Sequence, residues 1–375
     1  MRVLFWSELF RPDIGGVEIW SAQLIHALQA RGHECLAVAC QGPNPMPEKS
    51  TFEGIPVHRF SFHTALLRRD LTAIKELVAQ IAALKRQFEP DVIHVNSSQP
   101  SVLFHERSAA AVACATLMTV HEPPMLHTGN SMLARLLRGA DWVVGVSQAM
   151  LDDALCLVPE IAARSSVIHN AIDDERPQVS PLDSGASNLL CVARLVKEKG
   201  FDVAIRALAD VRDNDPNVRM TIAGDGPERA NLESLAAELG VAESIRFAGW
   251  VTPAEVGTLL QEAFMVLIPS RWREPFGLIA LQAAEAGRPV IASRVGGLPE
   301  IVVDRVTGVL VPPDDSVALG VAIRELLANR ADASRMGAAA RHHKRSKFDY
   351  GEFVESYERL YGRIGGGGGV RVMGR

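Results

Sequence analysis

No apolar run in the 375 residues reaches the roughly 18–20 needed for a membrane-spanning helix. Cysteine is sparse and unpaired. The five residues Cys35, Cys40, Cys114, Cys156 and Cys191 are scattered with no C-x-x-C spacing, which excludes a disulfide scaffold and argues for reduced, buried thiols. There is no excess of positive charge, because 39 Lys+Arg against 44 Asp+Glu gives a formal charge of −5. Broad electrostatic binding to nucleic acid or anionic lipid is therefore not expected. The N-terminal MRVLFWSELFRPD has a short apolar core, but acidic and proline residues follow where a cleavable signal would need small ones. It reads as a first buried strand, and a cytoplasmic location is expected. No G-x-G-x-x-G follows that strand and opens a helix, so a dinucleotide-dependent dehydrogenase lacks support. The text Asp213–Asn214–Asp215 could hold a metal at a strand end, but it lies between a helix and the next strand, where a solvated turn is the simpler reading.

What is present is alternation. Short apolar runs predict strands at 3–6, 35–39, 57–60, 91–95, 115–120, 142–146 and 166–169 in the first half. A second set is predicted at 189–193, 219–223, 244–248, 265–268, 289–292 and 308–311. Three- and four-residue apolar spacing between them predicts helices, among them 17–30, 71–88, 201–212, 253–262, 278–285 and 350–363. The pattern implies two α/β domains with parallel sheets covered on both faces. Pro, Ser, Asp and Gly accumulate without periodicity over 173–188, which places a boundary there. The expected organisation is 1–172, 173–348, a final helix over 349–364, and a glycine-rich flexible tail over 365–375.

Ligands of open parallel sheets collect beyond the carboxyl ends of the strands. The unusual residues sit there. Gly15–Gly16 opens the first helix, and His121 follows the fifth predicted strand. Arg194 and Lys199 follow the first strand of the second half, and Glu274–Pro275–Phe276–Gly277 precedes the helix beginning at Leu278. A glycine pair before a helix lets backbone amides approach an anion. Arg194 and Lys199 supply the positive charge that a phosphate leaving group requires. Glu274 is suited instead to sugar or ribose hydroxyls. Each feature alone has a bland explanation: a glycine pair is usually a turn, and a lone histidine is usually structural. Their shared placement is what carries the inference.

Residues 193–200 (Ala-Arg-Leu-Val-Lys-Glu-Lys-Gly), 223–227 (Ala-Gly-Asp-Gly-Pro) and 274–278 (Glu-Pro-Phe-Gly-Leu) together resemble the retaining glycosyltransferases of family 4, of GT-B fold. Gly16–Val17–Glu18, Thr119–Val120–His121 and Asn170–Ala171–Ile172–Asp173 are similar too, in the family's order. The resemblance implies two Rossmann-like domains facing across a cleft and a hexosyltransferase-type activity. It implies a nucleotide-diphosphate sugar as co-substrate, UDP first and GDP second, without a metal or other cofactor. Gly15, Gly16, Arg194, Lys199, Phe276, Gly277 and Leu278 would meet the donor diphosphate. His121, Glu274 and Gln282 would meet its sugar and ribose. Transfer would retain anomeric configuration through front-face attack, with His121, Glu274, Arg194 and Lys199 as the reacting set.

One position departs from the family's Glu-x7-Glu pair: the second glutamate is Gln282 here. An amide in place of a charged acceptor weakens ribose binding by about 1–2 kcal/mol. Glu285 lies on the same face one turn on, either as a substitute or as an ordinary helix residue. The acceptor is expected to be a small molecule, a glycan or a lipid-linked saccharide, chosen by first-domain loops over 41–54, 61–70, 96–107 and 122–132. Peripheral membrane contact through Arg68–Arg69 remains open, although a lone basic pair is ordinarily solvated. The alternatives are a sugar-nucleotide epimerase of the same fold and a donor-binding homologue without catalysis.

Overall fold

The computed structural model describes residues 1–13, 15–42, 46–96, 98–124, 128–129, 131–173 and 187–366. Most of the composition-defined boundary at 173–188 and most of the glycine-rich tail therefore lie outside the described residues. The chain divides into two compact units, Met1–Asn170 joined by the segment from Tyr350, and Ala171–Asp349.

The first unit runs β1 (Arg2–Trp6), α1 (Gly16–Ala30), β2 (Glu34–Cys40), β3 (Lys49–Phe52), β4 (Ile55–Phe60), α2 (Phe62–Leu67), α3 (Leu71–Phe88) and β5 (Val92–Val95). It continues with α4 (Val102–Arg107), β6 (Ala115–Val120), α5 (Met132–Gly139), β7 (Trp142–Gly145), α6 (Gln148–Leu157) and β8 (Ser165–Val167). The sheet order is β3-β4-β2-β1-β5-β6-β7-β8. Val3, Leu4, Phe5 and Trp6 are all buried, as a central parallel strand covered on both faces demands.

The second unit contains β9 (Asn188–Val192), α7 (Phe201–Arg212), β10 (Arg219–Ala223), α8 (Arg229–Glu238), β11 (Ile245–Gly249), α9 (Pro253–Glu262) and β12 (Met265–Ile268). It is completed by α10 (Leu278–Glu285), β13 (Val290–Ser293), α11 (Leu298–Ile301), β14 (Gly308–Val311), α12 (Ser316–Ala328) and α13 (Arg330–Lys347). Its strands are all parallel, in the order β11-β10-β9-β12-β13-β14. Local signals set the element ends. Thr252, Pro253 and Glu255 form a proline-started capping box on α9, and Asp70 caps α3 through the amides of Thr72 and Ala73. The last helix, α14 (Tyr350–Gly365), packs its buried Phe353, Val354, Tyr357, Leu360 and Tyr361 within the first unit.

Three segments read as acceptor loops contain regular structure. Strand β3 pairs antiparallel with β4 at the sheet edge through a two-residue Glu53–Gly54 turn, both at positive φ (46° and 86°). Its Lys-Ser-Thr-Phe sequence is too short and polar to register as a strand. Segment 61–70 holds α2, anchored by buried Phe62 and Ala65, and segment 96–107 holds α4, anchored by Val102 and Phe104. Arg68 closes α2.

Strand order reverses direction between β1 and β5 in the first sheet and between β9 and β12 in the second. Those two switch points leave crevices at the carboxyl edge because successive connections leave on opposite sides.

Candidate functional site

At the second unit's switch point, the loop after β9 carries Lys199 and the loop after β12 carries Glu274. The Lys199 ammonium donates to both carboxylate oxygens of Glu274, at 2.9 and 2.7 Å. The Ser270 hydroxyl adds a third bond to that carboxylate at 3.0 Å. The backbones beneath are held together as well. The amide of Arg271 donates to the carbonyl of Glu198 at 2.9 Å, and the Arg271 guanidinium forks onto Asp202 at 2.6 Å while reaching Asp314 at 2.7 Å. Those carboxylates hold the Arg271 guanidinium above its ordinary pKa.

Two glycines permit the approach. A Cβ on Gly200 (φ +65°) would lie 2.0 Å from the Pro269 carbonyl oxygen. A Cβ on Gly296 (φ +55°) would lie 2.0 Å from that of Glu274, which also accepts the Gly297 amide at 2.8 Å. Gly296–Gly297 is therefore the seat of the Glu274 backbone.

Arg194 is exposed on the same loop as Lys199, and its side chain makes no hydrogen bond or ion pair among the described residues. Its loop is braced by the following turn, where Leu195 donates to the Asp225 carbonyl at 2.9 Å and Glu228 to the Leu195 carbonyl at 3.1 Å. Phe276 is buried against Phe348, Gly277 precedes the first turn of α10, and Leu278 begins it. The Ala280 amide donates back to the Gly277 carbonyl at 2.9 Å, while those of Leu278 and Ile279 have no partner among the described residues and suit an anion. Gln282 follows one turn later and is half-buried.

Glu285 does not serve as a substitute for the missing glutamate. It is 3% exposed and faces α13, where Arg341 reaches it at 3.2 Å, Lys344 at 3.5 Å and Arg345 at 2.5 Å. Burial opposes ionisation there, but the three cations outweigh it and hold its pKa low. Its position three residues beyond Gln282 turns it from the anion-facing end of α10 into the packing interface with α13.

In the first unit, Glu8 follows β1, Asn96 follows β5 and His121 follows β6, around a cavity of about 70 Å³. The His121 ring stands edge-on to Trp20, centroids 4.7 Å apart, and its sheltered Nε2 has no hydrogen-bond partner among the described residues. Burial pushes its pKa down to about 3, so the imidazole is neutral at neutral pH. Beneath it, the buried His94 ring bonds Tyr361 Oη at 2.6 Å and Thr119 Oγ1 at 2.7 Å. Thr119 also meets Tyr357 Oη at 3.3 Å. Helix α14 thus braces the strand from which His121 projects. Gly15 caps α1 and Gly16 begins it, and a Cβ on Gly15 would lie 2.2 Å from a Glu18 carboxylate oxygen. The Glu18 carboxyl, tucked against this turn, has its pKa raised by burial first and by Asp13 and Glu122 in addition.

The structure adds Glu8 and Ser270 to the residues singled out from sequence. Ser270 was legible only as a polar residue just past a buried strand, whereas Asn96 opens the 96–107 segment expected to choose the acceptor. Glu8, Cys40 and His63 bring potential metal-ligating atoms within 4.8 Å of one another. The Cys40 thiol donates to Glu8 at 3.2 Å and His63 pairs with the same carboxylate, so these groups satisfy one another without an ion. Of the sequence-singled residues, Lys199, Glu274, Phe276, Gly277, Leu278 and Arg194 share the second unit's edge, while Gly15, Gly16 and His121 share the first unit's.

Comparison with known proteins is consistent across the chain. The family model described as Glycosyltransferase Family 4 matches residues 14–176, and that described as Glycosyl transferases group 1 matches residues 173–343. Glycogen synthase of Mycobacterium tuberculosis is 31% identical, covering 96% of this chain and 94% of its own. A GDP-mannose-dependent α-(1-6)-phosphatidylinositol monomannoside mannosyltransferase of Mycolicibacterium smegmatis is 28% identical, covering 91% and 93%. Among solved structures, the sucrose-phosphate synthase of Thermosynechococcus elongatus superposes with a TM-score of 0.82 at 23% identity, over 97% of this chain and 98% of its own. Anabaena Alr3699/HepE in complex with UDP and glucose superposes with a TM-score of 0.80 at 21% identity, over 97% and 100%.

Proposed function

The chain belongs to the group 1, family 4 glycosyltransferases of GT-B fold, and from that premise we propose that it moves a sugar from a nucleotide-diphosphate donor to an acceptor hydroxyl with retained anomeric configuration and no metal. The Lys199–Glu274–Ser270 cluster at the β9/β12 switch point carries this reading. A cation and a hydroxyl-binding carboxylate, locked in one geometry beside free helix amides, suit a sugar whose leaving group is a phosphate.

In the proposed reaction the bond from the anomeric carbon to the phosphate oxygen breaks. The acceptor oxygen bonds that carbon on the same face, and its proton passes to the departing phosphate oxygen. Lys199 and Arg194 neutralise the charge that builds on the diphosphate. Lys199 has three N–H donors, so it can keep Glu274 in place and still bond a phosphate. Glu274 accepts hydroxyl hydrogens from the transferred sugar, and the neutral His121 bonds a hydroxyl without adding charge. A UDP-sugar is the first expectation for the donor and a GDP-sugar the second.

The test is direct. A panel of UDP-, GDP- and ADP-sugars is titrated by calorimetry, and the product of the donor that binds is examined by proton NMR for anomeric configuration. An inverted product, or turnover abolished by EDTA and restored by manganese or magnesium, would refute the reading. An epimerised nucleotide sugar formed with no acceptor would replace it with the isomerase.

A further inference from the structure

The cavity beside His121 has an electrostatic character that bears on the acceptor, a choice resting on the transferase reading above. Three acidic side chains line it: Glu8, Glu18 and Glu122. No Lys or Arg is among the described residues lining it. Two polar atoms there have no partner among the described residues. Asn96 is 4% exposed, and while its Nδ2 donates to Ser21 at 3.4 Å, its Oδ1 accepts nothing. His121 Nε2 is likewise unpaired. A buried polar atom left unsatisfied is unfavourable, and an acceptor hydroxyl can donate to Asn96 Oδ1.

The carboxylates are held in place. Glu122 accepts from Ser98 at 2.8 Å and from Gln99 at 3.2 Å, and Glu8 accepts from Ser101 at 2.6 Å and from Cys40, with His63 against it. Carboxylates accept hydrogen bonds and donate none, so Glu8 and Glu122 complement O–H groups and repel phosphate or carboxylate. We propose that this cavity receives the acceptor as an uncharged, hydroxyl-rich group, a sugar or polyol whose reacting end bears no phosphate.

The experiment uses the full-length enzyme with its best donor and matched acceptors: methyl α-glucoside, methyl α-mannoside and myo-inositol against glucose 6-phosphate, mannose 6-phosphate and inositol 3-phosphate. Transfer to the neutral members is expected with kcat/KM at least about tenfold above that of their phosphorylated partners. Glu122→Gln keeps the acceptor oxygen for Ser98 while removing the charge, and it should narrow that ratio about threefold or more as salt does. A phosphorylated acceptor preferred by tenfold, or a ratio indifferent to both Glu122→Gln and salt, overturns the proposal. So does donor binding and slow hydrolysis with no transfer to any neutral member. Failure of every nucleotide sugar to bind in calorimetry is a different result, which overturns the transferase reading itself and this inference with it.

Discussion

On α10, the carboxylate of Glu285 meets Arg341, Lys344 and Arg345 of α13, while Gln282 stays half-buried one turn nearer the helix start. The two side chains should fail in opposite ways. Removing Glu285 leaves three cations around a buried site, so Glu285→Ala should destabilise the second unit by about 3–5 kcal/mol, read as a lowered Tm, with donor KM in the surviving protein near wild type. Gln282→Ala should leave Tm alone and raise donor KM several-fold with kcat little changed, because ribose contacts are alike in ground and transition states. Calorimetric melting and steady-state kinetics on both variants check the pair of outcomes; a donor KM effect at Glu285 without a stability effect would reverse the assignment. At Lys199 the expectation is larger. Lys199→Ala and Arg194→Ala should each lower kcat/KM about 100-fold or more and weaken nucleotide-diphosphate binding, since a charge-assisted bond to a developing phosphate is worth a few kcal/mol. Wild-type-like kinetics in either variant would place the phosphate elsewhere.

Among elements, the loops after β9, β12 and β13 behave as one assembly. Glu198 accepts the Arg271 amide, Glu274 accepts the Gly297 amide, and Gly296 leaves room for the Glu274 carbonyl. Gly296→Ala adds a Cβ 2.0 Å from that carbonyl at a φ of +55°, so the Glu274 backbone must shift. Displacement of about 1 Å at a positioned carboxylate is expected to cost roughly 10- to 100-fold in kcat. The melting transition should move far less than the rate, because the change is confined to loops above the core. A wild-type rate in Gly296→Ala would show that this seat has no part in catalysis. In the first unit the comparable brace is α14, whose Tyr361 and Tyr357 hydroxyls hold His94 and Thr119 beneath His121.

For the whole molecule, the two units differ in how they should respond to acid. His94, His105 and His121 all lie in the first unit and all titrate below their ordinary pKa because burial disfavours the charged ring; His105 and His121 are pushed down to about 3. The unfolded chain binds protons on these rings near pH 6.5, whereas the folded one resists well below that, to about pH 3 at His105 and His121. Stability is therefore fully present above pH 6.5 and lost as pH falls, at up to about 1.4 kcal/mol per unit for each ring. Differential scanning calorimetry from pH 7.5 to 4.5 should show the first unit's transition falling faster than the second's. Equal displacement of both transitions would mean the rings are solvated. None of the described helices is long and apolar enough to cross a membrane.

Apolar runs such as Val3–Trp6 and Met265–Ile268 determined by themselves that parallel strands alternate with helices, because a strand buried on both faces has no other composition open to it. Local chemistry also marked the ends of α3 and α9, and the charged and glycine residues past the strands pointed to the second unit's edge. What only the tertiary structure decided depends on residues distant in sequence. The β3–β4 hairpin takes its stability from one neighbouring strand, not from its own sequence. The partners of Glu285 lie 56 to 60 positions away, so its three-residue spacing from Gln282 could not reveal that it belongs to α13. Asn96 and His121 share a cavity only because β5 and β6 are adjacent in the sheet, and the missing bond of each becomes visible only once every neighbour is in place. Sequence records which groups a chain carries; which of them remain unsatisfied after folding is a property of packing.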